Sequence, residues 1–114
     1  MKISKKRRME AYSCLTTAAE AVCDKYIDGW AVLRPAGYVL EASRILKVTL
    51  PDIPERKPTK DQLWRAAIEI ADAMLTVLLE AQPGCFVSKG ALETEMRRAW
   101  SLLHGKEPDD ETAN

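Results

Sequence analysis

The sequence predicts an all-α fold: a single-domain bundle of about four helices with a central, strongly apolar third helix. Three observations carry this expectation. Fifteen Ala, twelve Leu and ten Glu stand against six Val and one Phe, a composition that favours helix over strand. Apolar residues recur at steps of three and four along separate segments. Prolines and isolated glycines fall between those segments, where helices must stop. A chain of 114 residues can bury one core, so residues 1–105 read as one helical domain.

The first helix is expected over Lys6 to Asp28, with Met9, Tyr12, Leu15, Ala19, Val22 and Tyr26 on one stripe and Gly29 as a left-handed stop. Pro35 suits the first turn of a second helix, Ala36 to Lys47, whose apolar face is Val39, Ala42, Ile45 and Leu46. Residues 49–58 hold prolines at 51, 54 and 58 and must form a connecting loop, long enough to let the second and third helices cross at a skew. Thr59 with Gln62 three residues on is a capping box, and Asp61 suits the positive end of the dipole. In the helix that follows, Arg65, Glu69, Asp72, Thr76 and Glu80 make one narrow polar stripe. Leu63, Ala67, Ile70, Met74 and Leu78 lie to one side of it, and Trp64, Ile68, Leu75 and Leu79 to the other. A helix apolar over most of its circumference is central in a bundle or meets a partner. Pro83-Gly84 ends it. Ser88 is placed to cap a fourth helix, with Val87 and Leu92 as a hydrophobic staple and Leu92, Met96, Ala99 and Leu103 as its buried stripe. Short turns after the first and third helices make antiparallel neighbours of each pair. Residues 106–114, with four acids and little apolar content, read as a disordered acidic tail.

Charge narrows the function classes. Seventeen Lys and Arg balance seventeen Asp and Glu, so no net field draws the whole domain to nucleic acid or an acidic membrane. The most apolar run, Ala66 to Ala81, carries Glu69, Asp72 and Glu80 and is too short and too charged to span a bilayer. No apolar signal segment follows the charged start of the chain, and three cysteines without paired spacing suit a reduced, cytoplasmic protein. The one concentration of charge is a basic N-terminal arm, residues 1–8, with Lys5, Lys6, Arg7 and Arg8 in succession. Such a cluster suits phosphates or an acidic protein surface.

Catalytic and metal chemistry find little to work with. Cys14 and Cys23 are nine positions apart, about 900° of helical turn, and so point to opposite faces. Cys85 has no neighbouring Cys or His to complete a zinc set. His104, the sole histidine, sits where an imidazolium meets the last free carbonyls of the fourth helix. The acids are spread at surface spacings, and the five glycines stand alone at element ends instead of forming a phosphate loop. The reading is of a non-enzymatic chain without cofactor or metal.

The run from Leu78 through Pro83-Gly84 and Val87-Ser88, followed by Leu92 and Trp100, resembles part of the winged-helix DNA-binding domains of bacterial response regulators. In that family a helix ending in Pro-Gly leads through Val-Ser into a second helix that closes on Trp. Here the Trp falls one helical turn late and no recognition helix follows, so no DNA-contacting residue is carried over.

The function expected is that of a small protein-binding regulator, inhibitor or accessory factor, of which a phage- or plasmid-encoded inhibitor is one instance. It would dock a helical surface on a larger protein or complex, or on a second copy of itself. Trp64 and Trp100, together with Lys5, Lys6, Arg7 and Arg8, are the candidate contact residues. The alternative is a nucleic-acid-associated helical protein using the basic arm.

Overall fold

A computed structural model describes residues 3–28, 35–85, 87, 88 and 90–108. Gly29, to which the sequence assigned the stop of the first helix, lies outside the described residues, as does the acidic tail from residue 109.

Four helices follow in order: α1 (Lys5–Asp28), α2 (Pro35–Leu46), α3 (Lys60–Glu80) and α4 (Ala91–Leu103). Among the described residues there is no strand. Ser4 starts α1: its hydroxyl accepts from the Arg7 amide at 3.2 Å, which satisfies one of the first free donors. The buried stripe of α1 is Ala11, Leu15, Ala18 and Val22, rotated from the expected one, and Met9 is left 41% exposed. Alanines at these positions let two neighbouring helices approach closely, and α1 packs against both α2 and α3.

Helix α2 buries Val39, Ala42, Ile45 and Leu46. It ends with Lys47 in the left-handed region at φ 60, and the Val48 amide donates back to the Ser43 carbonyl at 2.9 Å. This closure turns Val48 into the core, the usual hydrophobic anchor of such a stop. Helix α4 closes in the same way: the Gly105 amide reaches the Leu102 carbonyl and the Lys106 amide the Ser101 carbonyl, at 3.1 and 2.9 Å. At its other end the expectation fails. Gly90, at φ 95, is the N-cap and donates no side chain, while Ser88 contributes only its carbonyl, to the Ala91 amide at 3.1 Å. The left-handed glycine turns the chain into the helix, so Ser88 stands too early to cap it.

The capping box of α3 is present in full: the Gln62 amide donates to Thr59 Oγ1 at 3.1 Å, and the Thr59 amide to Gln62 Oε1 at 2.9 Å. Helix α3 packs on α1 and α4, α1 on α2, and a thinner contact between α2 and α4 closes the ring. Helices α2 and α3 do not pack on each other, so the skewed crossing expected between them does not occur; the proline loop carries the chain to the opposite corner. Leu15, Val22, Val39, Ile70, Val77, Met96 and Leu102 are the largest fully buried side chains, drawn from all four helices. The loop is fastened over α4. Arg97 Nε donates to the Thr49 carbonyl at 3.0 Å and Trp100 Nε1 to the Pro51 carbonyl at 2.7 Å. No helix among the described residues is long and apolar enough to cross a membrane.

Candidate docking face on the third helix

Corner placement divides the apolar circumference of α3. Leu63, Ala66, Ile70, Ala73 and Val77 turn inward and are buried. Directly opposite, Trp64 is 54%, Ile68 45%, Leu75 55% and Leu79 37% exposed, with Ala71 also exposed between them. Steps of four, seven and four keep these large side chains on one line, about 22 Å from end to end at the rise of an α-helix. A monomer rarely leaves so continuous an apolar row in water, and such rows mark interaction sites.

The polar stripe beside this row differs from the expectation. Thr76 is buried at 7% exposure: its hydroxyl lies 2.7 Å from Glu95 Oε1 and 3.0 Å from the Asp72 carbonyl. Helix α4 covers that side, so what reads as a wet stripe is partly the α3–α4 seam. Glu69 faces Arg98 at 3.9 Å in the same seam. Burial raises the Glu95 carboxyl above the ordinary carboxylate range, against the Thr76 hydroxyl that lowers it and with Asp72 adding to the rise. Burial also raises Glu69, offset by Arg98 and reinforced by Asp72 and Glu95.

At the N-terminal end of α3, Arg65 clamps the segment after α4. Its Nη1 and Nη2 donate to Glu107 Oε1 and Oε2, each at 2.7 Å, its Nε lies 3.1 Å from Asp61, and Gln62 Nε2 adds a bond to Glu107 at 2.9 Å. These donors hold the Glu107 carboxyl below its usual range. The acidic segment expected to leave the body at residue 106 is therefore bound to α3 as far as Glu107.

The other candidate residues are placed apart from this face. Lys5, Lys6, Arg7 and Arg8 form the first turns of α1 instead of a free arm, and Arg7 pairs with Glu10 at 2.6 Å. Trp100 is half-buried against the core, bonded to the loop and in contact with the His104 ring at 4.2 Å between centroids. His104 Nδ1 lies 2.9 Å from the Trp100 carbonyl, an acceptor that fixes the ring proton on that nitrogen. Of the three free cysteines, Cys23 and Cys85 are exposed, and Cys14 sits partly buried beside the core. Burial, then Glu41 and Glu10, push the Cys14 thiol up against the lowering effect of Arg7, which disfavours the thiolate form. No group of three or more His, Cys, Asp or Glu among the described residues is placed to hold a metal ion. A groove of about 310 Å³ between the proline loop and α4 has apolar walls at Leu50, Pro51 and Ile53, with Arg97 and Arg98 at its rim. Both arginines already face carboxylates, Glu93 at 3.5 Å and Glu69 at 3.9 Å.

Comparison with protein-family models, with curated proteins and with solved structures finds no match. Nor does a recognition helix follow α4 among the described residues, so the likeness around Pro83-Gly84 stays one of turn punctuation.

Sequence reasoning found the residues of this row and the two roles open to the helix, central or meeting a partner, but not which of its apolar sides faces water. It missed the Ser4 cap, for which serine three residues before Arg7 was the available signal. It also missed the Arg65–Glu107 clamp, for which no local pattern exists across 42 positions.

Proposed function

We propose that this chain is a small non-enzymatic protein-binding protein, a regulator, inhibitor or accessory factor, that acts by docking the outer face of α3 on another protein. The row Trp64, Ile68, Leu75 and Leu79 carries this reading. Large apolar side chains on a packed helix present a rigid anchor whose ordering cost is already met by folding. The experiment is affinity capture from the native host with wild type and Ile68→Glu, followed by mass spectrometry. Ile68 is on the outer face, so the change leaves the fold intact by circular dichroism. A docking face predicts proteins bound by wild type, retained at high salt and absent with Ile68→Glu. Identical capture by the two proteins overturns the reading.

A nucleic-acid reading keeps one observation in its favour, the cluster of exposed Lys5, Lys6 and Arg7 with half-buried Arg8 in the first turn of α1. Phosphate contacts are salt-dependent, whereas apolar docking is not. Changing all four to Gln therefore abolishes salt-sensitive binding to mixed-sequence DNA or RNA if that reading holds, and leaves capture through α3 unchanged if it does not.

A further inference from the structure

We infer that the occupant of the α3 outer face is a second copy of this chain, packed antiparallel about a two-fold axis passing between Ala71 and Asp72. This rests on reading that face as a docking surface and adds what docks there. The row is a palindrome: Trp64, Ile68, Leu75 and Leu79 are separated by four, seven and four residues, the same in either direction. A closed two-fold interface needs a patch that is its own complement, and a row spaced alike from both ends meets that demand when two copies run antiparallel. Trp64 then lies against Leu79 of the partner subunit, and Ile68 against the partner subunit's Leu75. Ala71, exposed and small, stands at the midpoint, where two helices crossing face to face come closest.

The available area bounds how tightly that second copy is held. Four large side chains about half exposed, one aromatic and three smaller aliphatic, offer at most roughly 400 Å² per copy. Two copies hide about 800 Å² through these alone, short of the roughly 1,200–2,000 Å² of a stable complex, so the dimer is a weak one whose population rises with concentration. One charge opposes it. Asp72, exposed beside the axis, comes near its own copy, and like charges at close range repel.

Sedimentation equilibrium of the full chain from about 1 µM to about 500 µM tests this, because a homodimer forms by mass action. Wild type is expected to pass from monomer to dimer across the range. Ile68→Glu is expected to weaken association at least tenfold, and Asp72→Asn to tighten it several-fold at low salt. Ile68→Glu/Leu75→Lys is the decisive variant: antiparallel pairing sets each new Glu against a new Lys of the other copy, so association returns and becomes salt-sensitive. Circular dichroism of every variant confirms that the helices persist. A wild-type monomer throughout, or a double variant no stronger than Ile68→Glu, overturns the inference. Such a monomer that still captures an Ile68-dependent partner leaves the docking reading standing without the dimer. A dimer whose capture is indifferent to Ile68 does the reverse.

Discussion

Gly105 shows how one residue can serve a helix end and a tertiary contact together. At φ 72 it occupies the left-handed region that closes α4, and a Cβ added there would stand 3.0 Å from the carbonyl oxygens of both Arg56 and Lys57. Gly105→Ala is expected to lower stability by about 1–3 kcal/mol, the left-handed penalty plus the displacement of loop backbone, read as a fall in Tm. Glu95 is a residue with the opposite tendency. Its folded pKa is raised by burial above the ordinary value, so the ionised form costs stability at neutral pH. That cost is complete above the raised pKa and fades as pH falls through it toward the ordinary value of about 4. Glu95→Gln keeps an oxygen for the Thr76 hydroxyl and is expected to raise Tm at neutral pH. The two melting curves should converge once the pH is below the carboxylate range, and a constant offset at every pH would contradict the account. Thr76 itself is legible in sequence only as polar. Its burial follows from the packing of α4 on that side, and Thr76→Val, which leaves the half-buried Glu95 carboxylate short of a donor, is expected to cost about 1 kcal/mol.

Among the elements, α3 is the one whose two faces differ most in consequence. Ile70 is fully buried and Leu75 is 55% exposed, although both are large apolar residues of the same helix. Ile70→Ala should cost about 2–5 kcal/mol, because the transfer energy is lost and a cavity remains. Leu75→Ala should change monomer stability by no more than about 0.5 kcal/mol. Chemical denaturation of both, at a concentration where the chain is monomeric, checks the assignment of faces. The helix ends divide by the same logic. The capping box of Thr59 and Gln62 was readable because both partners lie within four residues of one another. The start of α4 was not, because Gly90 acts through backbone conformation and leaves a serine nearby that fits the same rule equally well.

At the scale of the whole molecule, the ring α2–α1–α3–α4 is locked by long-range polar contacts at one end. Arg97 and Trp100 hold the start of the proline loop, Gly105 backs onto its later part, and Arg65 with Gln62 holds Glu107. Glu107→Gln keeps the size but loses the charge that Arg65 grips from its two terminal guanidinium nitrogens. The amides of Lys106 and Glu107 are expected to exchange faster with solvent in that variant, while Tm barely moves, since exposed ion pairs contribute little to global stability. Because the Glu107 pKa is lowered, the clamp is fully formed above the ordinary carboxylate pKa and is lost only as pH falls through the lowered value.

Helix composition, three of the four element ranges to within a residue or two, the capping box, and the residues of the outer α3 row are all consequences of local rules. Periodicity, propensity and end chemistry act within about four positions, and a sequence displays them directly. Which side of α3 faces water is a different kind of quantity. Leu63 and Trp64 are adjacent and both apolar, and only the positions of α1 and α4 decide that one is buried and the other half bare. The same holds for Thr76, for Trp100 on the loop, and for Glu107 on Arg65, whose partners are 19, 49 and 42 residues distant. Burial is set by what packs from elsewhere in the chain, so the candidate surface was present in the sequence as a pattern and became a surface only when the bundle closed.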